Sequence, residues 1–589
     1  MDGFYYIKTF ICMLAFFVYH TTLIAASHSS MDDMRFGEPE FFGAIGNGLT
    51  DDTDAIRKCI SIYNRVHLSA GKVYKSKLIE IKKNVEFFGG GVLLHSEMVT
   101  DKDDVSSTGH RFVSLIKITN DAKFVAKDIV FDGNQNDNPC LTITGSWPNF
   151  IWCCHGSMEL YGCTIKNTAG HAVRTGNVDD FNPKLFAHDI VISNCTILQK
   201  EQESSCGDAM RIERTKKAII SKNLVSGGWS GIRCQLYCSD LTIENNIVRN
   251  SGSDVGITAA CSENVTIKGN ECFGHFQHGI EIDAVCDCLC EDNYVHDNKK
   301  SGIFCCDYGT GKVKMSSYRG TISTKYKKLG YGYQDFGTSS LPNHNTIIRG
   351  NRSENNGCGD VLLGQNGLLY EGNYLNNPKH LDKDYVSQLY IGPGNIGKTS
   401  VQIIGNTFVC SDEDKYAIHF SSYYFTSSGH SNVFLNTSRI GNVSLLGEGS
   451  IDSNVFSIGV ESCKITNNIK VTSDKALAIE PDMDDIVELG QFYDSPKGYK
   501  AIKIRMKATK KIPVVLNIKA IDTDGIIVKN LLQSKTLYLT KDYKDYVIYF
   551  NDDTKIDVRY HVFLSVLAGA SCYVENLSFY GQSVVKKEM

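Results

Sequence analysis

The chain has 589 residues, 42% of them hydrophobic and 22% charged, which is the composition of a globular protein too long for one ordinary domain. The 61 basic and 66 acidic residues give a formal net charge of −5, which excludes nucleic-acid binding by bulk positive charge. Glycine is abundant and proline scarce, at 52 against 10 residues, as is typical of a fold with many tight turns between short strands.

The first residues have the features of a secretory signal. Lys8 precedes an apolar run over residues 10–17, and small residues at 25–27 offer a cleavage site. The pattern predicts a signal peptide over residues 1–27 and a secreted, periplasmic or cell-surface protein. The alternatives are a retained membrane anchor or a start at Met31. Later segments are too polar to span a bilayer, so we expect no stable membrane insertion after signal removal.

An internal repeat of 23 or 24 residues runs through the middle of the chain. Each unit reads as a short apolar strand, an Asn turn, a second short strand, and a Gly-Ile pair that opens a third strand. The regular spacing indicates a stack of equivalent coils. The turn residues of the clearest units are Asn223, Asn246, Asn270 and Asn293, with weaker copies at Asp128, Cys163, Cys195, Asn351, Asn373 and Asn406.

The length of the unit selects one architecture. Strands this short cannot bury a face alone, and the period leaves no room for a full crossover helix. Stacking each unit on the previous one pairs all strands in parallel, about 4.8 Å apart, and builds one continuous core. Asn tolerates the left-handed backbone conformation at the turn, and stacked Asn side chains can hydrogen-bond along the axis. A leucine-rich repeat is the rival, but its Leu consensus is missing, so the repeat predicts an all-β parallel β-helix.

The N-terminal end carries a second signature over residues 42–56, with the sequence FGAIGNGLTDDTDAI. It resembles the opening motif of the pectate-lyase-like right-handed parallel β-helix superfamily, as found in rhamnogalacturonase- and epimerase-type members and in phage tailspikes. The resemblance implies a right-handed β-helix over residues 36–470 that acts on a polysaccharide, as a monomer or a homotrimer. Locally, Thr50 or Asp51 can cap a helix of about residues 53–64, which would plug the open end of the core.

The repeat stops near Lys475, and strict alternation of apolar and polar residues takes over, as in residues 499–506 and 514–518. Alternation of this kind predicts half-buried antiparallel strands, and therefore a β-sandwich over residues 475–589. The order of the strands resembles a carbohydrate-binding-module jelly roll. A stability or oligomerisation domain is the alternative, because no Trp in this region marks a sugar-binding platform.

Alignment of the repeats places polar side chains in columns on the outer face of the predicted stack. Residues two positions after the Gly of each unit, and again two positions further on, point outward, whereas the residue between them points into the core. Arg211-Ile212-Glu213 and Glu281-Ile282-Asp283 fall in the same columns, and paired carboxylates predict acid–base chemistry there. We expect Glu281, Asp283, Asp208 and Glu213 to be catalytic, and Arg174, Arg211, Arg233, Gln235, His278, Trp229 and Tyr308 to bind substrate.

Spacing along a strand limits how the candidate carboxylates can pair. Glu281 and Asp283 lie two residues apart, which allows carboxyl separations of about 5 to 9 Å, the range of both retaining and inverting hydrolysis. Glu213 lies three coils from Asp283, about 14 Å away, which is too far for a pair.

One long insertion interrupts the repeats over residues 307–344. It is rich in Lys, Arg and Tyr and nearly free of acidic residues. That combination suits an acidic glycan, with cations for its carboxylates and rings for its sugar faces. The alternative is a lid that only packs against the flank. Cys286, Cys288 and Cys290 alternate just before the insertion, and we expect a stacked core or a disulfide there in preference to a metal site.

Together these residues favour an exported glycoside hydrolase that acts on an acidic polysaccharide. The chain departs from the pattern of pectic polygalacturonases, which carry Asn-Thr-Asp, Asp-Asp and Gly-His-Gly motifs on consecutive coils, so no residue of that family carries over. A polysaccharide lyase is the first rival, with Arg211 or Arg233 as base and Ca²⁺ held by carboxylates. The hydrolase requires no cofactor, and we assign no metal ligand. A uronate epimerase, a non-catalytic glycan-binding β-helix and a phage tailspike depolymerase are also compatible with these residues.

Overall fold

The structure is a computed structural model. It describes residues 36–96, 114–134, 149–176, 182–200, 207–307, 343–377, 379, 381, 385, 387–392, 394, 399–409, 416–420, 425–430, 433–435, 469–471, 477–479, 485–493, 498–521, 527–552, 559–566 and 571–580. The predicted signal peptide, Tyr308 and the interior of the long insertion lie outside the described residues.

The described part of the chain is built almost entirely of short strands, with one α-helix, α1 (Thr53–Ile62), and two short 3-10 turns, Pro39–Phe42 and Pro183–Leu185. The strands of the N-terminal unit are, in chain order, β1 (Asn47–Asp51), β2 (Arg65–His67), β3 (Val73–Ser76), β4 (Ile79–Ile81), β5 (Val85–Phe88), β6 (Val92–His95), β7 (Ile116–Ile118), β8 (Ala122–Lys127), β9 (Val130–Asp132), β10 (Asn149–Cys153), β11 (Gly156–Tyr161), β12 (Thr164–Lys166), β13 (His171–Thr175), β14 (Ala187–Ser193), β15 (Thr196–Leu198), β16 (Met210–Glu213), β17 (Thr215–Ser221), β18 (Leu224–Ser226), β19 (Ile232–Gln235), β20 (Ser239–Glu244), β21 (Ile247–Arg249), β22 (Ile257–Ala260), β23 (Glu263–Lys268), β24 (Glu271–Phe273), β25 (Ile280–Asp283), β26 (Cys286–Glu291), β27 (Tyr294–His296), β28 (Ile303–Cys306), β29 (Asn343–Arg349), β30 (Arg352–Glu354), β31 (Asp360–Leu363), β32 (Gln365–Glu371), β33 (Tyr374–Asn376), β34 (Ser387–Gly392), β35 (Thr399–Ile404), β36 (Thr407–Val409), β37 (Tyr416–Phe420), β38 (Phe425–His430) and β39 (Val433–Leu435). The strands of the C-terminal unit are β40 (Ile469–Val471), β41 (Leu477–Ile479), β42 (Asp485–Tyr493), β43 (Gly498–Ala508), β44 (Ile512–Ile521), β45 (Ile527–Leu539), β46 (Lys544–Asp552), β47 (Arg559–Val566) and β48 (Cys572–Tyr580).

Successive strands of the N-terminal unit belong to three different parallel sheets, so each full turn of the chain adds one strand to each sheet. Among the described residues, the three sheets contain fourteen strands from β1 to β39, thirteen from β2 to β38 and twelve from β4 to β37. The predicted parallel β-helix is confirmed, because each short strand gains a partner above and below it only by stacking. The twelve-stranded sheet, which contains β13, β16, β19, β22, β25, β28, β31, β34 and β37, is called the site sheet below.

A ladder of buried Asn side chains runs along one turn of the stack. The Oδ1 of Asn246 accepts hydrogen bonds from the backbone N and the Nδ2 of Asn223, and the same pair of bonds joins Asn246 to Asn270 and Asn270 to Asn293. The prediction that these residues adopt the left-handed conformation is wrong. The residue before each of them does so, such as Asn245 with φ 55°, and this turn directs the ladder Asn inward. The ladder continues through Asn351, Asn373 and Asn406.

Helix α1 lies at the N-terminal end and buries Ile56 and Cys59 in the apolar core, as the predicted plug requires. Asp52 occupies the N-cap position but makes no side-chain cap bond there, whereas the expected Asp51 accepts a hydrogen bond from the first helical N–H, that of Thr53, at 3.0 Å. The Asp52 carboxylate accepts hydrogen bonds from two backbone N–H groups of the preceding loop, at 2.8 and 3.1 Å. These bonds tie the opening motif to the start of the helix, so its acidic residues are structural.

The alternating cysteines of β26 are buried free thiols. Cys288 and Cys290 pack in the apolar core, and burial raises the pKa of Cys288 to about 12. They act there as small apolar side chains, in agreement with the stacked core expected from their spacing.

The C-terminal unit is antiparallel. Its strands form a five-stranded sheet in the order β40-β41-β48-β43-β46 and a four-stranded sheet in the order β42-β47-β44-β45, which is the predicted sandwich. Ile502, Ile504 and Met506 alternate as buried residues along β43, as the pattern predicted. The antiparallel unit begins a few residues before Lys475, because β40 already pairs antiparallel with β41.

Candidate functional site

The site sheet carries two columns of residues that face away from the core. Residues between the columns, such as Ile212 and Ile282, are fully buried, which confirms the predicted alternation. Strand pairing places Arg174, Arg211, Arg233, Thr258, Glu281, Phe304, Val361, Tyr390 and His419 in the first column, one on each successive strand. Two residues further along the strands, the second column contains Glu213, Gln235, Ala260, Asp283 and Cys306.

A network of ion pairs occupies the first part of the columns. Glu213 accepts from Arg174 Nη2 at 2.9 Å and from Arg211 Nε at 2.8 Å, and Gln235 Nε2 donates to its Oε1 at 2.9 Å. Arg211 Nη1 also donates to Asp208 Oδ2 at 2.9 Å. Both carboxylates are fully buried, and the arginines therefore provide the charge that compensates their burial.

The electrostatics of this network keep its carboxylates ionised. Burial alone would raise the pKa of Glu213, but the guanidiniums of Arg211 and Arg174 outweigh it and hold that pKa well below its usual value. Burial would likewise raise the pKa of Asp208, and the nearby Arg233 and Arg211 lower it instead. Neither carboxyl holds a proton near neutral pH, so neither has one to donate to a substrate.

Arg211 stays protonated for the reciprocal reason. Burial would lower the pKa of Arg211, but Glu213 and Asp208 outweigh burial and raise it. Arg211 and Arg233 each keep 19% of the side chain exposed, whereas the carboxylates beneath them are inaccessible. The network therefore presents cationic edges at the surface of the sheet.

Asp254 belongs to this network and was missed by sequence reasoning. It forms an ion pair with Arg233 and accepts a hydrogen bond from Gln277 Nε2 at 2.9 Å. Asp254 lies in the turn before β22, outside the columns aligned from the repeats. An acidic residue shortly before a Gly-Ile pair, as in residues 254–257, was the available signal.

The second group of candidates is a pair of carboxyls on β25. Asp283 is 6% exposed and Glu281 is half-buried, and the two side chains hydrogen-bond each other. Cys306 Sγ donates a further hydrogen bond to Asp283 Oδ1 at 2.9 Å.

The surroundings of Asp283 favour its protonated form. Burial and, second, the adjacent Glu281 raise the pKa of Asp283 well above its ordinary value, since two touching carboxyls cannot both ionise readily. The proton that Asp208 and Glu213 lack is thus present on the same sheet, three strands further along. Among the predicted catalytic residues, Asp283 is the one whose environment fits a proton donor.

The remaining predicted binding residues have different surroundings. His278 is buried and stacks on Phe304 with ring centroids 4.3 Å apart, and burial lowers its pKa to about 3, so its ring is neutral. Arg174 is also buried, and its Nη1 donates to Asn149 Oδ1 at 3.1 Å. Trp229 is half-buried, with its backbone N–H bonded to Gly207. Of these three side chains, that of Trp229 has the most access to ligand.

The candidate carboxylates do not fit a calcium site. Ca²⁺ takes six to eight oxygen ligands, many of them ionised carboxylates. Here Asp208 and Glu213 direct their oxygens at arginines, and Asp283 retains a proton. In the described part of the chain, no three His, Cys, Asp or Glu side chains gather as they would around a metal ion.

Comparison with known families agrees with this geometry. A sequence profile for the family described as "Right handed beta helix region" matches residues 116–270 and 149–322, the coils that carry the two columns up to Cys306. The chain has the right-handed parallel β-helix fold. This β-helix protein is 24% identical over 233 residues to the capsule K30/K69-specific depolymerase of Klebsiella phage K64-1. The match covers 38% of the chain and 27% of the depolymerase, so the chain spans about a quarter of that relative's length.

Solved structures with similar architecture share little sequence with the β-helix protein. The A-module of a mannuronan C-5 epimerase from Azotobacter vinelandii is 13% identical, with 68% of this chain and all of that module covered and a TM-score of 0.44. A surface adhesin of Streptococcus pneumoniae is 11% identical, covering 76% and 98%, with a TM-score of 0.44. An exopolygalacturonase from Thermotoga maritima is 12% identical, covering 69% of this chain and 92% of that chain, with a TM-score of 0.37.

Within the described residues, no helix has the length and hydropathy of a membrane span.

Proposed function

We propose that the β-helix protein is an exported glycoside hydrolase that cleaves an acidic polysaccharide bound across its site sheet. The observation that carries the proposal is the carboxyl pair of Glu281 and Asp283, in which Asp283 retains its proton. Cleavage of a glycosidic bond needs a carboxylic acid that is still protonated near neutral pH. The partial likeness to a phage capsule depolymerase supports a polysaccharide as the substrate.

Asp283 is the general acid in this mechanism and donates its proton to the oxygen of the leaving sugar. Glu281 is the general base and takes a proton from the attacking water, so one water is added across the broken carbon–oxygen bond. The hydrogen bond between the two carboxyls then returns the proton from Glu281 to Asp283 and restores the starting state. No cofactor takes part in these steps.

Substrate entry has to separate the two carboxyls. Inverting hydrolysis places them about 6.5–9.5 Å apart, with a water between the base and the sugar. Glu281 is half-buried and has several rotatable bonds, whereas Asp283 is fixed by burial and by Cys306. Rotation of Glu281 opens the gap when the substrate oxygen replaces Glu281 as the hydrogen-bond acceptor of Asp283, before the proton is transferred.

Arg211 and Arg233 bind the acidic group of the substrate with their exposed guanidinium edges. Asp208 and Glu213 are positioning residues in this scheme, because they contact the arginines from below and have no access to substrate. Arg174, Gln235 and Asp254 complete the support of the two exposed arginines.

A lyase mechanism, in which an arginine acts as the base for β-elimination, fits the site less well than hydrolysis. An arginine base must lose its proton, and the carboxylates around Arg211 raise its pKa. A phage-type capsule depolymerase is the second candidate function, favoured by the Klebsiella phage relative, and it would use the same two columns.

A panel of acidic capsular and cell-wall polysaccharides tests the proposal, with reducing ends and absorbance of unsaturated products as readouts. The proposal predicts new reducing ends without unsaturation, and their loss in Asp283→Asn and Glu281→Gln. Glu244→Gln, a half-buried carboxyl on β20 in another sheet, is the matched control and should keep full activity.

Three results would overturn the proposal. Unsaturated products would assign a lyase, and a changed uronate configuration without cleavage would assign an epimerase. Binding without any reaction would assign a glycan-binding protein.

N-terminal sequencing of the mature protein tests export, since removal of residues 1–27 is expected for a signal peptide and not for a tailspike.

A further inference from the structure

The chemical character of the two outward columns changes along the axis of the β-helix. On one side of the carboxyl pair lie Arg211 and Arg233, with partly exposed guanidiniums. On the other side, the columns continue as Phe304 and Cys306, then Val361 and Leu363, then Tyr390 and Gly392. Strand pairing fixes this order, so it does not depend on the conformation of a loop.

The spacing between neighbouring strands gives approximate distances between the residues of the columns. Neighbouring strands lie about 4.8 Å apart, so Arg233 is about 10 Å from Glu281, and Phe304 is about 5 Å from Glu281 on the opposite side. Tyr390 extends the uncharged side to two strands beyond Phe304, and Val361 between them is fully buried. A glycan that runs along the axis would therefore contact arginines, the carboxyl pair and the uncharged surface in sequence.

Among the described residues, the column side chains from Phe304 to Tyr390 are uncharged and include two aromatic rings, and Lys300 lies near His278 in the turn before β28. Phe304 is half-buried against the neutral His278, and Tyr390 is half-buried with its ring 5.0 Å from that of His419 in an edge-to-face arrangement. Aromatic rings suit the apolar face of a sugar ring, whereas the column side chains on this side offer no cation to an anionic sugar.

We propose that the substrate is a heteropolysaccharide that carries an anionic sugar on the arginine side of the cleaved bond and an uncharged sugar on the Phe304 side. This inference rests on the proposed function, because it takes Glu281 and Asp283 as the point of cleavage. The arginines select the acid, and the uncharged columns reject a second acid at the neighbouring positions.

The experiment compares three classes of polysaccharide of known repeating unit: homopolymers of uronic acid, neutral polymers, and polymers in which uronic acid and neutral sugars alternate. Products are sequenced by mass spectrometry to identify the sugar on each side of every cleaved bond. The inference predicts cleavage of alternating polymers, always with the acid on the same side of the bond. Equal kcat/KM on a homopolyuronate, or acids on both sides of the bond, would overturn it and leave the proposed function intact. Failure to cleave any class would overturn both.

Two variants separate the two sides of the site. Arg233→Gln should lower kcat/KM by about 10- to 100-fold, mainly through KM, and should weaken its salt dependence. Tyr390→Ala should lower kcat/KM by about tenfold without changing its salt dependence. Tyr390→Phe should restore the wild-type kcat/KM. Tyr294→Ala, a half-buried ring on β27 in the fourteen-stranded sheet, is the matched control. An unchanged kcat/KM in Tyr390→Ala, with an unchanged unfolding temperature, would contradict contact with sugar on the uncharged side.

Discussion

Residues 211–213 and 281–283 occupy the same columns of one sheet, yet their carboxyls are in opposite states. In the first segment, Glu213 lies between two arginines and has lost its proton. In the second, Asp283 lies against another carboxyl and keeps its proton. The charge of the nearest partners therefore decides whether an outward carboxyl of this β-helix supports its neighbours or supplies acid.

Asp283→Asn should produce the largest loss of activity. The substitution removes the proton that the leaving sugar requires, so kcat/KM should fall by about 10² to 10⁴ while the fold persists. Reducing-end assays on the cleaved polysaccharide, with Glu244→Gln as control, measure the effect. A loss of less than threefold would show that Asp283 is not the acid.

Glu213→Gln should produce the largest loss of stability. It leaves the buried Arg174 without its counter-charge and leaves Arg211 with Asp208 alone, which costs roughly 3–5 kcal/mol in the free energy of unfolding. Denaturant titration of the β-helix protein measures this cost. Equal destabilisation by Glu213→Gln and Asp283→Asn at neutral pH would remove the contrast between the two segments.

Asp360 is a third case to set beside Glu213 and Asp283, because it is a fully buried carboxyl whose hydrogen-bond partners are uncharged. Tyr370 and Ser353 donate hydrogen bonds to it at 2.7 and 2.8 Å, and burial raises its pKa to about 6. A raised pKa means that its contribution to stability is complete at low pH and is lost as the pH rises through about 6. Asp360→Asn should remove that loss and gain up to roughly 3 kcal/mol at pH 8, measured by unfolding at several pH values. A variant that is less stable than the wild type at pH 8 would contradict this assignment.

Gln235→Ala should have the smallest effect of the series. It removes one hydrogen bond to the ionised Glu213 while both arginines remain, so a loss of about 1–2 kcal/mol is expected. The thermal unfolding midpoint provides the measurement, and a loss as large as that of Glu213→Gln would show that the arginines are not the main partners.

The β-helix could be predicted from the sequence because the spacing of the repeats determines how the coils stack. The spacing of Asn223, Asn246 and Asn270 predicted the stack, the Asn ladder and the register that aligns Arg211 with Arg233. Alternation along β43 likewise predicted the sandwich. These features are local or periodic, so one unit contains the information for the next.

Protonation states could not be predicted in the same way. Glu213 and Asp283 look equivalent in the aligned repeats, and their difference arises from partners on other strands or in turns. Arg174 reaches Glu213 from 39 residues away, and Asp254 meets Arg233 from outside the columns. The separation of Glu281 and Asp283 was also open, because it depends on side-chain rotation about a fixed backbone.

The pH dependence of unfolding, compared between wild type and Asp283→Asn, tests the retained proton most directly and needs no substrate. If the pKa of Asp283 is raised, the wild type loses stability relative to the variant as the pH rises through that value, and below pH 4 the two curves run parallel. Parallel curves from pH 4 to 9, or a wild type that loses relative stability as the pH falls, would show that Asp283 is ionised and would contradict its role as the general acid.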